Sequence, residues 1–518
     1  MQLSHFLALL GVLLPVWICS YWVLPYFTTY RHLRHLPGPF VGKFSNVWLA
    51  LGARQGQKYA WVDHAHRKYG KVVRAGFNHV SIATPEGLHT VYAHGNGFLK
   101  DQFYDAFVSG VPGVFNVRHR GEHTRKRKII AHAFSPGAVH DFEPHMTANL
   151  KRWVRKLDHI ATQPGRDGFS RMNMMPWCTF LAFDIIGDLA FGAPFGMVER
   201  GRDECEATLP GKPTTYVPGA ETLNRRGEVS STLGLLSELR PFASYLPDPF
   251  FSKGLSSVKN LHGIAQAAVT KRLEAADKGY AASQKRHDIL EMLCRSKDFE
   301  GNPMPRDELV SEALTQLIAG SDTVSNTACA VIYWILDGER RNPGTIVPRL
   351  QAELDAAVPA DSEVASHCDV KNLPFLRQCI NEGMRLHSTS AIGLPRIVTA
   401  KQGVGYGDEH FPEGTVLSVP SFTIHHDEDI WGSDVEEFQP DRWLNLTPRQ
   451  KISFNPFSYG PRACVGQNVA VMELALIVGT AFHRYSFKVY QTKLESHEGF
   501  SKKPVDCWVG IKRREALC

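Results

Sequence analysis

The spacing of apolar side chains predicts long helices in the second half of the chain. In one stretch they recur at helical intervals, at Leu309, Ala313, Leu317, Ile318, Ala328, Ile332 and Ile335. Residues three or four positions apart lie on the same side of a helix, so we expect one long buried helix over residues 306–337. Further helices are predicted over about 372–387 and about 465–482.

Shorter stretches predict a few strands. Residues 71–74 and 79–82 flank a turn, and we expect them to pair as a hairpin. The C-terminal part, residues 485–511, alternates more than the rest and is expected to contain strands. The predicted class is mainly α with small β-sheets. Because no internal repeat and no low-complexity linker divides the 518 residues, we expect one large domain.

The first apolar stretch contains no charged side chain. Residues 6–27 lack Asp, Glu, Lys and Arg, and as a helix they would be about 33 Å long, enough to cross a bilayer. The alternative is a cleaved signal peptide, which would have a shorter apolar run, a basic start and a small-residue cleavage site. We expect a transmembrane anchor within residues 1–30, a basic and proline-rich hinge at 31–45, and a large domain over 46–518. The basic residues after the anchor predict that this domain is cytosolic.

The overall charge limits the classes of partner. The formal net charge is +6, too weak to indicate nucleic-acid binding but suited to an anionic membrane surface or an acidic partner. The ten cysteines include no CxxC pair, and a chain of this size needs no disulfides. We therefore expect reduced thiols, with a separate role for Cys464.

The context of Cys464 is the clearest chemical signal in the chain. Residues 457–466 read FSYGPRACVG and match FxxGxRxCxG at every fixed position, and this pattern resembles the haem-binding loop of the cytochrome P-450 superfamily. A cysteine thiolate on haem iron favours cleavage of the O–O bond, and the start of the following helix stabilises its charge. Gly460 allows a tight turn, Gly466 allows close approach of the macrocycle, and Arg462 can pair with a haem propionate. An inert buried cysteine, the alternative, would not require these neighbours.

A second stretch resembles the oxygen-activation motif of the same superfamily. Residues 319–323 read AGSDT and lie inside the long predicted helix. The Thr323 hydroxyl can bond to the carbonyl of Ala319 and loosen the helix locally, while Gly320 is expected to leave room for dioxygen. Asp322 and Thr323 then resemble a proton-delivery pair. The alternative is a mid-helix threonine bonded only to its own backbone.

Two further patterns match superfamily positions that surround the haem. Glu382 and Arg385 form an ExxR pair on one helix face, and Arg442 completes the triad that the resemblance implies, which we interpret as structural. His123 and Arg127, four residues apart, resemble the pair that holds a haem propionate, although the family often has tryptophan at the first position. A further propionate contact is implied for Arg396.

The helix that carries His123 is rich in other basic side chains. Arg125, Lys126 and Lys128 form either a solvated basic face or a docking surface for an acidic flavoprotein reductase. The resemblance implies haem b with Cys464 as the axial ligand, and O2 as co-substrate. It also implies electrons from NADPH that arrive through NADPH–cytochrome reductase, so that NADPH does not bind this chain directly.

Longer stretches resemble one branch of the superfamily. Residues 96–100, 123–135, 183–197, 223–234 and 387–396 are similar to the fungal benzoate 4-monooxygenases, and the resemblance extends from about residue 40 to 515. It implies a single-pass protein of the endoplasmic-reticulum membrane with a cytosolic catalytic domain. The implied reaction is para-hydroxylation of benzoate, a small aromatic acid.

Two segments are candidates for contact with substrate. The loop over residues 109–116 ends in Asn116, and its Gly-Val-Pro-Gly core differs from the His- or Arg-containing version of some members of that branch. Ser388, Thr389 and Ser390 could bind a carboxylate, or they could merely cap the end of the preceding helix.

Three other functions remain compatible with parts of the sequence. A monooxygenase of another aromatic compound or secondary metabolite would share every motif. An O2-independent haem-thiolate isomerase or dehydratase would not need the intact Asp322–Thr323 pair. A non-enzymatic haem sensor would need neither this pair nor a reductase. Consumption of O2 and NADPH distinguishes the two monooxygenases from the last two classes.

Overall fold

The structure is a computed structural model that describes residues 13, 16, 19–277, 288–297 and 301–515. Most of the predicted membrane span, residues 6–27, lies outside the described residues. The end of that span forms a π-helical turn at Cys19–Val23 and then helix α1 at Leu24–Phe27.

Helices make up most of the described chain, which confirms the predicted class. In the first half they are α1, α2 (Val47–Arg54), α3 (Lys58–Tyr69), α4 (Pro85–Tyr92), α5 (Arg120–Ala133), α6 (Pro136–His140), α7 (Glu143–Ala161), α8 (Met174–Phe191), α9 (Met197–Arg200), α10 (Gly219–Leu235) and α11 (Pro249–Asp277). In the second half they are α12 (Ile289–Arg295), α13 (Arg306–Arg341), α14 (Val347–Ala357), α15 (His367–Val370), α16 (Pro374–His387), α17 (Ser421–His425), α18 (Glu428–Trp431), α19 (Pro448–Ser453) and α20 (Gln467–Arg484). The helices predicted over 306–337, 372–387 and 465–482 correspond to α13, α16 and α20.

The strands are short and form small sheets. They are β1 (Val72–Gly76), β2 (His79–Ile82), β3 (Leu99–Lys100), β4 (Ser170–Asn173), β5 (Cys205–Ala207), β6 (Thr215–Val217), β7 (Arg396–Ile397), β8 (Val404–Tyr406), β9 (Glu409–Phe411), β10 (Val416–Ser418), β11 (Tyr485–Val489), β12 (Ser496–Glu498), β13 (Lys502–Pro504) and β14 (Trp508–Arg513). The largest sheet has the order β1-β2-β10-β7-β3, and β11-β14-β4 form another. The predicted hairpin is β1–β2, with Val72 opposite Ile82. The strands predicted over 485–511 are β11 to β14.

Helix α13 is the central element of the core. Its apolar face is buried as the spacing predicted, except that Ile318 is half-buried and lines a cavity. Acidic side chains in its first turn and arginines in its last turn complement the helix dipole. The helix packs against α8, α16 and α20, so residues on different sides of α13 contact both the core and the cavity.

Helix α8 is also strongly apolar. Among the described residues it is the one helix whose length and composition would allow it to cross a membrane. Nearly all of its side chains are buried against α7 and α13, so α8 is a core helix.

The proline-rich segment before the first strand packs closely on the sheet. Leu33 and Leu36 are buried in the core of this region, and the Pro37 carbonyl accepts a hydrogen bond of 2.9 Å from the Arg74 N–H in β1. A Cβ atom on Gly38 would collide with the carbonyl oxygen of Arg74. This contact explains why glycine is required there.

Candidate active site

The cysteine loop is a tight turn that leads directly into α20. The Cys464 N–H donates a 2.9 Å hydrogen bond to the carbonyl of Phe457, which closes the loop on itself. Gly460 has φ +73°, and an added Cβ atom would collide with the carbonyl oxygen of Tyr92. The tight turn predicted at Gly460 is therefore present, and it delivers the Cys464 side chain to a cavity.

The environment of Cys464 does not favour a thiolate by itself. Burial raises the pKa of the Cys464 thiol, whereas the backbone N–H of Gly466 and the charge of Arg127 act in the opposite direction. A metal ion that coordinates the sulfur removes the proton outright. The thiol therefore fits an iron-binding role better than that of a free nucleophile.

Helix α13 forms the wall on which the oxygen-activation motif was predicted. The Thr323 hydroxyl donates a 2.7 Å hydrogen bond to the carbonyl of Ala319, as the sequence suggested. Asp322 accepts a 3.1 Å hydrogen bond from the side-chain amide of Asn326. Burial raises the pKa of Asp322, and Lys503 and a hydrogen bond from Ser501 oppose this shift. The acid and the alcohol both line the same cavity as Cys464.

The role predicted for Gly320 was wrong. A Cβ atom on Gly320 would lie 2.7 Å from a side-chain carbon of Ile186 in α8, and Gly320 does not line the cavity. The glycine permits close packing of α13 on α8, because the helix turns this residue away from the cavity side.

Five basic side chains converge near the cysteine loop. They are Lys100, His123, Arg127, Arg396 and Arg462. Arg127 Nη1 donates to the carbonyl of Ala463 at 2.7 Å, and Arg462 Nη1 donates to the carbonyl of Val117 at 2.8 Å. Among the described residues, none of the five forms an ion pair with a carboxylate.

These five side chains, called the cation cluster below, include like charges that repel one another, those of Arg127, Arg396 and Arg462. Burial and then the neighbouring cations, led by Arg462, lower the pKa of His123 to about 3. Burial and the charge of Arg396 lower the pKa of Arg462 to about 10, and the pKa of Lys100 also falls well below its usual value. Arg396 Nη2 is buried without a hydrogen-bond partner among the described residues. The cluster lacks anionic partners, and the two propionates of haem have the charge that would satisfy it.

The predicted triad is fully paired. Arg385 donates to both carboxylate oxygens of Glu382, at 2.9 and 2.8 Å, and Arg442 Nε lies 3.3 Å from the same carboxylate. Trp443 adds a hydrogen bond of 3.0 Å. Glu382 and Arg385 are completely buried, so the group joins α16 to the segment that precedes the cysteine loop.

The cavity has a volume of about 530 Å³, within the range of small-molecule sites. Asn116, Thr389 and Ser390 line it, but Ser388 does not. The Ser388 hydroxyl lies 2.8 Å from the carbonyl of Arg385 and 2.6 Å from Nδ1 of His425. Ser388 therefore caps the end of α16, the alternative that the sequence left open.

The basic face predicted on α5 was largely wrong. Lys126 is buried, and its Nζ lies 2.6 Å from Glu308 and 3.0 Å from Glu312. Arg125 pairs with Glu122 and Glu308 at 2.5 Å each. Only Lys128 of the three is exposed, because α5 packs these charges against the start of α13. Arg125 and Lys126 thus join two helices and do not form a free docking surface.

Sequence reasoning missed several polar residues of the cavity wall, three of which bear on the chemistry of the site. Ser501 and Lys503 come from the β12–β13 hairpin, and Arg226 comes from α10. Arg226 lies inside the 223–234 stretch, where the helical spacing places it on the same face as Leu223 and Val229. That spacing was the available signal, since it predicts that Arg226 is buried.

A thiol before a long helix, in the lining of the same cavity as an acid–alcohol pair, is the arrangement of the haem-thiolate class of oxygenase. A family model described as Cytochrome P450 matches residues 37–506. The chain therefore belongs to the cytochrome P450 family, and it is a monooxygenase of that family. The family implies a haem-thiolate cofactor, O2 and a reductase partner.

Individual members of the family differ in how similar they are to this chain. The chain is 49% identical to benzoate 4-monooxygenase bphA of Aspergillus niger, over 99% of this chain and 98% of the relative. It is 28% identical to cytochrome P450 monooxygenase pkfB of Emericella nidulans, over 91% and 90% of the two chains. It is 26% identical to cytochrome P450 monooxygenase esdpH of Penicillium shearii, over 98% of each chain. The resemblance to the superfamily and to its benzoate 4-monooxygenase branch is confirmed.

Proposed function

We propose that the chain inserts one oxygen atom of O2 into benzoate, at the ring carbon opposite the carboxylate. The observation that carries the activity is the cavity, which places Cys464 and the Asp322–Thr323 pair around one space. The substrate is proposed from the full-length similarity to a protein named as a benzoate 4-monooxygenase.

The residues around the cavity fit a bound haem. Cys464 would bind the haem iron through its sulfur, and His123, Arg127, Arg396 and Arg462 would hold the propionates. Haem bound in this way supplies the activation of O2, which amino-acid side chains cannot provide. The His123 ring carries at least one N–H in either protonation state, so it would donate a hydrogen bond to a propionate.

Asp322 and Thr323 would move protons to the cavity. The raised pKa of Asp322 makes its carboxyl a better proton carrier near neutral pH than a solvent-exposed aspartate. The Thr323 hydroxyl is exposed to the cavity and has oxygen lone pairs free to accept a hydrogen bond while it donates to Ala319. Asp322, which is hydrogen-bonded to Ser501, would hold the proton at the cavity wall, and Thr323 would provide the adjacent hydrogen-bonding hydroxyl.

The cavity walls would exclude water and orient an aromatic ring. Apolar side chains that line it include Phe107, Val111, Phe115, Ile318 and Phe500. Benzene-ring carbons are similar in reactivity, so the position of attack depends on how the far end of the substrate is held. Asn116, Thr389 and Ser390 are candidates for that polar contact.

The protein would be a single-pass protein of the endoplasmic-reticulum membrane, with NADPH–cytochrome reductase as its electron donor. Phe40, Phe242 and Tyr245 are strongly exposed. The Tyr21 hydroxyl donates to Glu238 at 2.8 Å, which places the segment of Phe242 beside the end of the proposed anchor. Exposed aromatic side chains next to an apolar N-terminus support contact of this face with lipid.

The reaction can be tested with the full-length protein, its reductase and NADPH. We expect benzoate to yield 4-hydroxybenzoate, measured by chromatography and mass spectrometry, with matched consumption of O2 and NADPH. Cys464→Ala should lose haem and the red-shifted Soret band of the reduced carbon monoxide complex. Thr323→Ala should keep this band but consume NADPH with little product. Conversion of a larger aromatic compound while benzoate stays untouched would overturn the benzoate proposal and leave the monooxygenase standing.

A further inference from the structure

Two adjacent arginines of α10 have opposite environments. Arg225 forms a 2.8 Å ion pair with Glu221, and its side chain is 42% exposed. Arg226 is only 5% exposed, yet it lines the cavity. One helix position therefore separates an ordinary surface cation from a cation enclosed at the active site.

Arg226 has no anionic partner among the described residues. Its Nη2 donates a 2.6 Å hydrogen bond to the carbonyl of Phe107, and its Nε is buried without a hydrogen-bond partner. Burial alone lowers the pKa of Arg226, to about 10, so the side chain remains charged at neutral pH. A buried and unpaired guanidinium is costly unless an anion binds to it.

A second polar side chain converges on the same point. Asn116 Nδ2 also donates to the carbonyl of Phe107, at 2.9 Å, and Asn116 Oδ1 is buried without a partner in the described chain. Because both side chains bond to one carbonyl oxygen, Arg226 and Asn116 are neighbours. They come from a helix and a distant loop, and both line the cavity. Arg226 has N–H donors to spare, and Asn116 Nδ2 has a second hydrogen that can donate to an anion, whereas the unpaired Asn116 Oδ1 is an acceptor.

The other cations of the cavity wall have different partners. Lys503 faces Asp322, which opposes the effect of burial on the pKa of Lys503. Lys100, Arg396 and Arg462 belong to the cation cluster proposed to hold the haem propionates. His497 lies 3.1 Å from the carboxylate of Glu228. Arg226 is therefore the cation of the described cavity wall that has neither a carboxylate nor a place in that cluster.

We propose that Arg226, with Asn116 beside it, binds the carboxylate of the substrate. The inference rests on the proposed function and names the group that selects aromatic carboxylates over neutral aromatic compounds. A guanidinium binds a carboxylate through two parallel hydrogen bonds, which fix direction as well as charge.

An anchor at Arg226 would also favour attack at the opposite carbon. Helix α10 packs mainly on α2, α11 and the 3-10 segment Gln102–Phe107, Cys464 precedes α20, and both α10 and α20 contact α13. A carboxylate held at α10 leaves the far ring carbon as the atom free to extend toward the cysteine loop.

The test compares Arg226→Gln with Arg225→Gln, the same chemical change one residue away on the surface. Equilibrium dialysis with isotope-labelled benzoate and benzamide measures binding to the full-length holoprotein. We expect Arg226→Gln to weaken benzoate binding by at least about 30-fold, since it removes the charged partner of a buried carboxylate. Benzamide binding to this variant, and binding of both compounds to Arg225→Gln, should change less than about threefold.

Each outcome decides the proposal. Unchanged benzoate binding by Arg226→Gln would overturn the anchor and leave the benzoate reaction standing. A wild-type protein that does not bind benzoate would overturn both. If Arg226→Gln does not retain haem, Arg226→Lys replaces it, because lysine keeps the charge but loses the paired hydrogen bonds. The preference for benzoate over benzamide should then fall at least about tenfold, and an unchanged preference would overturn the anchor.

Discussion

The triad and the cation cluster both contain arginines with little exposure to solvent, but only the triad contains a carboxylate that pairs with them. In the triad, Arg385 and Arg442 share Glu382, and further backbone carbonyls accept from Arg385. In the cation cluster, Arg396 and Arg462 have only neutral acceptors among the described residues. A paired buried charge stabilises the fold it belongs to, whereas an unpaired one indicates that a ligand supplies the missing charge.

Glu473 extends this comparison to an acid. It is buried in α20, and its Oε1 has no hydrogen-bond partner in the described part of the chain. Burial raises the pKa of Glu473 to about 8. A buried carboxyl can become neutral by taking up a proton, but arginine cannot release one at physiological pH. The carboxyl therefore needs no charged partner, while the arginines of the cluster do.

The largest expected effect is the loss of a partner from the triad. Arg385→Ala leaves Glu382 buried with a much weaker partner, which should destabilise the protein by about 3–5 kcal/mol. Thermal unfolding followed by circular dichroism measures the change. The control is Arg377→Ala on the same helix, whose exposed side chain donates to a backbone carbonyl and which should shift stability by less than about 0.5 kcal/mol. Equal effects of the two changes would mean that pairing in the triad is not what stabilises this region.

Loss of an arginine from the cation cluster should not lower stability, in contrast to loss of an arginine from the triad. Arg462→Gln removes one of several repelling charges, so the haem-free protein should be as stable as wild type or more stable. Haem binding should weaken by about 1–3 kcal/mol, because a charged hydrogen bond to an anion is lost. Transfer of haem to apomyoglobin measures retention, and thermal unfolding of the haem-free chain measures stability. If Arg462→Gln lowers the stability of the haem-free chain but leaves haem affinity unchanged, Arg462 stabilises the fold, as the arginines of the triad do, and does not bind haem.

The most gradual effect is the change of stability with pH, at most about 1.4 kcal/mol for each pH unit. The pKa of Glu473 is about 8 in the folded protein and near 4.3 when unfolded, so the folded state holds an extra proton between these values. Its contribution is complete below about pH 4.3 and is lost as pH rises toward 8, at up to about 1.4 kcal/mol per pH unit. Glu473→Gln should remove this dependence, which melting temperatures at pH 6, 7 and 8 would measure. If the melting temperatures of wild type and variant change with pH by the same amount, Glu473 is not the cause of the pH dependence of stability.

Local patterns in the sequence were enough to predict several core helices, the cysteine loop and the hydrogen bond within the oxygen-activation motif. The spacing of apolar residues located α13, α16 and α20, because helical periodicity depends only on near neighbours. The motif around Cys464 indicated the chemistry, since the turn, the thiol and the helix start all lie within ten residues. The hydrogen bond from Thr323 to Ala319 was predictable for the same reason.

Only the tertiary structure decided which distant side chains meet. The charges of Arg125 and Lys126 were expected on the surface, but α5 packs them against carboxylates almost two hundred positions away in the chain. Arg226 could be predicted as buried from its helical face, yet its place beside Asn116 depends on how α10 packs on another segment. A one-dimensional pattern specifies the face of each helix, whereas the partner of a buried charge is set by the packing of elements far apart in sequence.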